Sequence, residues 1–137
     1  MKATARRVGT YRHEIAIRSH ELAADEPTEH GGADTAPSPQ ELLAASLASC
    51  TAITMEMYAT RKGWELPDVE VAVEYQPAER GCPTRFELVV RIPGDVSDEQ
   101  AERLMTIAAK CPVHRTLEGE VMFSERLERA VAPAHAA

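Results

Sequence analysis

One segment of the chain carries local signals for a single long helix that begins after Ser38 and ends before Gly63. Ser38 is a typical N-cap, a proline follows at the first helical position, and Glu41 completes an S-x-x-E capping box. At the other end, Arg61 and Lys62 complement the helix macrodipole, and Gly63 is a typical residue just past a helix. The segment between these signals predicts about six turns of helix.

This helix is unusual because its apolar residues do not form one stripe. They are Leu42, Leu43, Leu47, Ile53, Met55 and Met57, and no charge occurs from residue 42 to residue 55. A helix that is apolar on every side is expected to be buried on every side. In a chain of 137 residues, this predicts a central helix covered by sheet and by a second subunit. The uncharged run is too short and too rich in Ser and Thr to predict a membrane span.

Alternation of apolar and polar residues predicts strands on both sides of the central helix. The predicted strands are 11–18, 69–76 and 86–92, and a last strand with Val121, Phe123 and Leu127 on one side. Strands, helix, strands, helix and strand, in that order, predict an α+β domain with antiparallel pairing. Residues 1–129 are expected to form this single domain, and residues 130–137 a disordered tail.

The second predicted helix opens at Ser97, which forms a capping box with Gln100. Its apolar face, spaced i, i+4 and i+7, ends at Cys111. Because Pro112 disfavours helical geometry at the residue before it, the helix is expected to break or restart there.

Composition excludes several classes of function. The formal net charge of −7 argues against a nucleic-acid partner, which would require clustered Lys and Arg. The N-terminus has no apolar core of signal-peptide length. Three cysteines are an odd and sparse set, which is typical of a reducing compartment rather than of a disulfide framework. We therefore expect a cytoplasmic protein, in which any disulfide is transient and catalytic.

The cysteines admit an inert and a reactive interpretation. Cys50 lies inside the long helix and Cys111 at a helix end, and buried thiols most often act as small hydrophobic groups. If Pro112 starts a new helical turn, however, Cys111 lies at a helix N-terminus, where a thiolate is favoured. Cys82 lies in a turn and is expected to be an incidental surface thiol.

Positive charge surrounds the second cysteine, because Lys110, His114 and Arg115 lie close to it in the sequence. Cys111 and His114 also form a C-x-x-H pair, which is half of a zinc site. No second C-x-x-C or H-x-x-H motif supplies the two further ligands, so no metal is expected.

Two motifs together resemble a known family. They are S-P-Q-E-L-L-A-A-S-L-A-S-C-T-A-I-T-M-E-M-Y-A-T-R-K-G-W-E-L and C-P-V-H-R-T-L. They resemble the OsmC/Ohr family of thiol peroxidases, and most closely the branch whose helix ends in M-Y-A-x-R-K-G-W. The D-E-P…G-G-x-D loop before the helix fits that branch too. The resemblance implies an OsmC-like, intertwined homodimer, with antiparallel sheets wrapped around central helices and active sites at the subunit interface.

The resemblance also implies a mechanism. Cys50 would attack the O–O bond of an organic hydroperoxide as a thiolate, releasing an alcohol and leaving a sulfenic acid. Cys111 would condense with the sulfenic acid to a disulfide, which an external dithiol resets without a bound cofactor. The apolar residues around the site favour alkyl or fatty-acyl hydroperoxides over hydrogen peroxide.

The family also uses an arginine from the N-terminal strands, held by a glutamate at the start of the central helix. Arg18 is our choice for the arginine, with Arg12 as the alternative. Many members have the glutamate directly after the helix-start proline, where this chain has Gln40. Glu41 is its candidate substitute, although capping alone explains that residue equally well.

Two other functions fit the same residues. The fold could hold an apolar ligand or report oxidation with little turnover, and the Gln40 departure favours this reading. Alternatively, the chain could be a structural dimer with inert cysteines, which resistance of Cys50 to alkylation would support.

Overall fold

The long helix begins and ends where its capping signals predict. In the computed structural model, which describes residues 1–130, helix α1 runs Pro39–Lys62. The Ser38 side chain accepts from the Glu41 backbone N–H, and the Glu41 carboxylate accepts from the Ser38 backbone N–H at 2.9 Å. At the other end, Gly63 has a left-handed φ of 70°, a conformation that glycine adopts at little cost. Both predicted ends of α1 are confirmed.

A three-stranded antiparallel sheet precedes α1. Its strands, in spatial order, are β1 (Thr4–Arg7), β2 (His13–Ile17) and β3 (His20–Ala24). Strand β2 confirms the alternation predicted for residues 11–18, but it ends at Ile17 because the chain reverses there. Ile17 pairs with His20, so Arg18 lies in a tight hairpin turn with a φ of 54°. A short 3-10 helix, Thr28–His30, lies in the loop that leads to α1.

A second antiparallel sheet packs on α1. It consists of β4 (Glu70–Gln76) and β5 (Arg85–Arg91), and it confirms two of the predicted strands. In both strands, residues that face the helix alternate with exposed ones. The hydrophobic core lies where α1 meets the next helix, and it consists of Met55, Tyr58, Ala59, Leu104 and Ala108.

Two helices follow the second sheet. Helix α2 (Asp98–Ala108) begins at Ser97 with the predicted capping box to Gln100. Helix α3 (Pro112–Glu118) begins at Pro112, which confirms the predicted break and restart at this residue. Both α2 and α3 pack against α1, so Cys111, between them, is brought onto the surface of α1.

The prediction of a last strand is wrong for this chain. Val121, Phe123 and Leu127 lie in a segment without regular structure, and their exposed fractions are 53%, 83% and 84%. A strand forms only where a neighbouring backbone offers hydrogen bonds. Within the described residues, no strand lies beside this segment to offer them. Of the tail predicted for residues 130–137, all but residue 130 lies outside the described part.

Within one chain, α1 is buried on one side, and the predicted cover by a second subunit stays a prediction. Its buried side carries Leu47, Thr51 and Met55, whereas Ile53 and Met57 on the opposite side are 53% and 60% exposed. The physical reason is that β4, α2 and α3 all pack on one side of α1. The N-terminal sheet makes no extensive contact with α1 and leaves the other side open.

Helix α1 is long and apolar enough to cross a membrane by length and composition alone. A core helix of a water-soluble protein passes the same test, and α1 packs against a sheet and two helices of its own chain.

Candidate active site

Cys50 lies in the middle of α1, with its side chain partly buried. The capping signals at both ends fix where this helix starts and stops, whereas the packing of β4, α2 and α3 decides which side of it is covered. Because α2 and α3 pack on the same helix, the thiol is partly covered by the turn that joins them.

Cys111 is the N-cap of α3 and is completely buried. Its Sγ accepts a hydrogen bond from the backbone N–H of His114 at 3.3 Å, as a serine or aspartate oxygen does at other N-caps. Pro112 occupies the first helical position, where the missing N–H costs nothing. Leu104 and Ala108, on the same face of α2, are also buried and hold this turn against α1.

The fold brings the two cysteines together although they lie far apart in the sequence. Both are free thiols, and the Cys111 side chain lies close enough to Cys50 to affect its pKa. Burial raises the pKa of the Cys50 thiol above its ordinary value, and the nearby Cys111 thiol raises it further. The Val113 backbone N–H and the Thr54 hydroxyl act in the opposite direction and lower that pKa. The first turn of α3 thus favours the thiolate of Cys50, the more accessible of the two sulfurs.

A buried hydroxyl group, that of Thr51, contacts the second cysteine of the pair. Thr51 is fully buried, and its Oγ1 lies 3.7 Å from Cys111 Sγ, close enough for a hydrogen bond involving sulfur. The same hydroxyl donates to the Leu47 carbonyl oxygen at 2.8 Å. Thr51 and Thr54 were not singled out from the sequence. The only signal was their position, one and four residues after Cys50.

The charges near Cys111 do not gather at the sulfur. Lys110 and Arg115 are exposed, and the imidazole Nδ1 of His114 contacts the Glu118 carboxylate one turn further along α3. His114 therefore touches Cys111 through its backbone, and its ring faces Glu118 instead of forming half of a zinc site with Cys111. Among residues 1–130, no group of three or more His, Cys, Asp or Glu side chains could hold a metal ion.

Cys82 is exposed on the turn between β4 and β5, as predicted for a surface thiol. Its backbone pairs with Glu79 in a small bridge. Cys82 takes no part in the pair formed by the other two cysteines.

The two candidate arginines have different surroundings. Arg18 was expected on the polar face of a strand, but it lies exposed in the β2–β3 turn, because the chain reverses there. Arg12 reaches the loop before α1 and donates from Nη1 to the Thr35 carbonyl oxygen at 3.0 Å and hydroxyl oxygen at 2.9 Å. Within residues 1–130, neither side chain contributes to the pKa of Cys50.

The loop that Arg12 reaches is organised by a buried carboxylate, which sequence reasoning missed. Asp25 is 2% exposed and accepts from the Thr35 hydroxyl at 2.6 Å and from the Thr35 and Glu26 backbone N–H groups. These bonds, led by the one from the Thr35 hydroxyl, hold the pKa of Asp25 below its ordinary value. The loop is also tightly closed, because a Cβ on Gly32 would lie 1.9 Å from the Glu26 carbonyl oxygen.

Glu41 serves the start of α1. Its hydrogen bond from the Ser38 backbone N–H lowers the pKa of its carboxyl, which confirms the capping role. Along the helix it lies roughly 13 Å from Cys50, at about 1.5 Å per residue. Glu41 therefore does not touch Cys50 in this chain, and the neighbouring Gln40 is exposed.

An open, mostly apolar cavity of about 490 Å³ is lined by residues of α1, α3 and the second sheet, and neither Cys50 nor Cys111 lines it. Leu47, one turn before Cys50, and His114, next to Val113, both line it. Its other lining residues are Leu43, Tyr75, Thr84, Phe86, Leu88, Leu117 and Glu118. The cavity is thus mostly apolar, with polar groups from Thr84, His114 and Glu118.

The fold and the paired cysteines agree with the comparison to protein families. The model of the family described as OsmC-like protein matches residues 31–126, which is more than half of the chain. The chain belongs to the OsmC family. No curated protein matches it.

Solved structures share this fold. An OsmC-like protein from Mycoplasma pneumoniae is 19% identical, with a TM-score of 0.73 over 86% of each chain. An organic hydroperoxide resistance protein from Elizabethkingia anophelis is 26% identical, with a TM-score of 0.65 over 85% of this chain and 86% of that one. The organic hydroperoxide resistance protein OhrB of Bacillus subtilis is 25% identical, with a TM-score of 0.60 over 86% of this chain and 90% of that one.

Proposed function

We propose that the chain is a cysteine-based peroxidase that reduces organic hydroperoxides to alcohols. The Cys50 thiolate attacks one oxygen of the O–O bond, which breaks, and the alkoxide leaves and takes up a proton to become an alcohol. Cys50 is then a sulfenic acid. Cys111 attacks that sulfur, the S–S bond forms, and the sulfenic hydroxyl leaves with the Cys111 proton as water. An external dithiol reduces the disulfide by exchange, and no bound cofactor takes part.

The single observation that carries this proposal is the juxtaposition of Cys50 and Cys111. The fold places a partly accessible thiol next to a fully buried one, which is the arrangement that a peroxide-attacking and a resolving cysteine need. The names of solved relatives, which include organic hydroperoxide resistance proteins, support the same class of substrate.

The cavity that Leu47 and His114 line supports hydroperoxides that carry a hydrocarbon group. Its walls include leucines and aromatic rings, so an alkyl or fatty-acyl chain would leave water on entering it. Hydrogen peroxide would gain nothing from these walls.

A cation is needed because burial raises the pKa of Cys50, and a thiol is a poor nucleophile. We propose that Arg18, or alternatively Arg12, supplies this cation at a subunit interface, with Glu41 as the carboxylate that orients it. Arg18 makes no side-chain hydrogen bond or ion pair within residues 1–130, so pairing across an interface would cost it no existing partner.

We also propose a homodimer. The chain exposes 11150 Å² of surface, whereas a folded monomer of this mass exposes about 7,000 Å². The excess is about 4,000 Å² for each chain, so two chains together carry more extra surface than the roughly 2,000–5,000 Å² that an obligate interface buries in total. The open side of α1, with Ile53 and Met57, is one apolar part of this surface.

One observation favours a second candidate function, a redox sensor or apolar-ligand-binding protein with little turnover. In the described chain, no cationic side chain lowers the pKa of Cys50, and a slow thiol suits a protein with little turnover better than an enzyme. For either function we propose the reducing cytoplasm as the compartment.

Turnover separates the two functions. Reduced protein is mixed with excess alkyl hydroperoxide and a dithiol, and peroxide loss is followed over many equivalents. The peroxidase proposal predicts sustained turnover that is abolished in Cys50→Ser, while the matched control Cys82→Ser keeps the full rate. A single equivalent of peroxide consumed, with no further loss, would support the sensor instead.

The separate roles of the two cysteines are tested with the variant Cys111→Ser, with and without the dithiol. Cys111→Ser should still consume one equivalent of hydroperoxide and accumulate a sulfenic acid at Cys50, which a sulfenic-acid-specific reagent traps. If Cys111→Ser turns over with the dithiol as fast as the unmodified chain, the resolving role assigned to Cys111 is wrong.

A further inference from the structure

Thr51 occupies a place that the proposed chemistry does not yet use. Thr51 and Cys111 are both fully buried, on α1 and at the start of α3 respectively. The Thr51 hydroxyl donates to the Leu47 carbonyl oxygen at 2.8 Å, so its hydrogen is engaged. Its oxygen, 3.7 Å from Cys111 Sγ, is therefore free to accept the S–H of that thiol. The direction of these two bonds leaves Cys111 as a donor in the resting protein.

The surroundings of Cys111 give this hydroxyl a second use. A thiolate that forms at a fully buried sulfur needs hydrogen-bond donors, because water does not reach it. The His114 backbone N–H, at 3.3 Å, is one donor, and the Thr51 hydroxyl is the side-chain group placed to become another. Turning the hydroxyl away from Leu47 costs little, because the Thr51 backbone N–H still bonds the same carbonyl in the helix.

We propose that Thr51 is a positioning residue for the disulfide-forming step: it accepts the Cys111 S–H at rest and donates to the Cys111 sulfur as the proton leaves. This inference rests on the proposed function. In the balanced step, Cys111 loses its proton to the departing hydroxyl of the Cys50 sulfenic acid, the S–S bond forms, and one water is released. Thr51 exchanges one hydrogen bond for another and is itself unchanged.

The test separates the two oxidation steps in a Cys82→Ser background. Reduced protein is mixed rapidly with an alkyl hydroperoxide. Loss of the Cys50 thiol and appearance of the disulfide are then followed separately, in Thr51→Val and Thr51→Ser. Valine keeps the shape and branching of threonine but has no hydroxyl. We expect Thr51→Val to slow disulfide formation about 10- to 100-fold, the loss expected for one hydrogen bond to a charged group. The oxidation of Cys50 should keep its rate.

Two readouts distinguish positioning from packing. Thr51→Ser keeps the hydroxyl and should restore rapid disulfide formation, here called closure, although it loses a methyl group. The pH profile of closure should move to higher pH only in Thr51→Val. Thr106→Val is the matched control, since it removes an exposed hydroxyl with the same bond to the carbonyl four residues earlier. Closure at an unchanged rate in Thr51→Val, or equally slow closure in Thr51→Ser, would overturn the inference.

A second assay makes the inference independent of the peroxidase activity. Cys50 is converted to a mixed disulfide with a coloured aromatic thiol, and attack by Cys111 releases the colour. The same order of rates is expected, with Thr51→Val slowest. If the chain ignores hydroperoxides but shows this order, the proposed function fails and the role of Thr51 stands. If the chain is oxidised by hydroperoxides at Cys50 but the variants do not show this order of rates, only the role of Thr51 fails.

Discussion

The open side of α1 yields a prediction about dimer formation. The size of the expected effect follows from the exposed fractions of its side chains. Ile53 and Met57 are 53% and 60% exposed, and full burial of such a side chain contributes about 1.5–3 kcal/mol. Covering the exposed half contributes about 1 kcal/mol for each side chain. Two side chains in each of two copies then give about 4 kcal/mol, or roughly a thousandfold in the dimer dissociation constant.

The perturbation is the double substitution Ile53→Ala and Met57→Ala, measured by sedimentation equilibrium over a dilution series. We expect the unmodified chain to sediment with the mass of two chains, and the variant to dissociate at concentrations about a thousandfold higher. Val89→Ala is the control, since Val89 is 48% exposed but lies on the outer face of β5. An unmodified chain that sediments as a monomer, or a variant with an unchanged dissociation constant, would refute the reasoning.

Three further predictions follow from single sites. Because burial raises the pKa of Cys50 within one chain, its alkylation in the dissociated variant should still accelerate above pH ~8.5. If a partner subunit supplies a cation, alkylation of Cys50 in the dimer should accelerate at lower pH than in the dissociated variant. Identical pH profiles of alkylation would argue against such a cation. The lowered pKa of Asp25 stabilises the fold above pH ~4, and this is lost as pH falls through the folded-state value. The melting temperature of Asp25→Asn should thus fall furthest below the unmodified one at neutral pH, and a gap that is constant with pH would contradict this. Ser38→Ala should lower the free energy of unfolding by about 1 kcal/mol in urea titrations, and an unchanged midpoint would show that the cap is dispensable.

Helix ends were predictable because their causes are local. The Ser38–Glu41 and Ser97–Gln100 capping boxes and the break at Pro112 each depend on residues within one turn of one another. Such contacts form whatever the rest of the chain does.

The errors concern features that depend on distant or absent neighbours. Alternation continues through Arg18, so nothing local revealed that the chain reverses there with a positive φ. The alternation around Val121 and Phe123 indicates a strand, but pairing needs a second backbone, and none pairs with this segment within residues 1–130. The apolar surface of α1 predicted burial by sheet and by a second subunit, and one chain accounts for the cover on one side only.

The candidate site was also predictable only in part. The importance of Cys50 and Cys111 came from a family resemblance, since sequence spacing alone does not show that two distant residues meet. The contacts of Val113 with Cys50 and of Thr51 with Cys111 depend on how α3 packs on α1. No sequence pattern gives that packing.

The most direct test of the account is to map the thiols after a single oxidation. Fully reduced protein receives one equivalent of an alkyl hydroperoxide, is quenched with an alkylating agent, and is digested for mass spectrometry. The account predicts rapid loss of the Cys50 and Cys111 thiols, a peptide that links the two, and an alkylated Cys82. Survival of all three thiols would contradict the peroxidase mechanism and leave a ligand-binding or structural role as the better explanation.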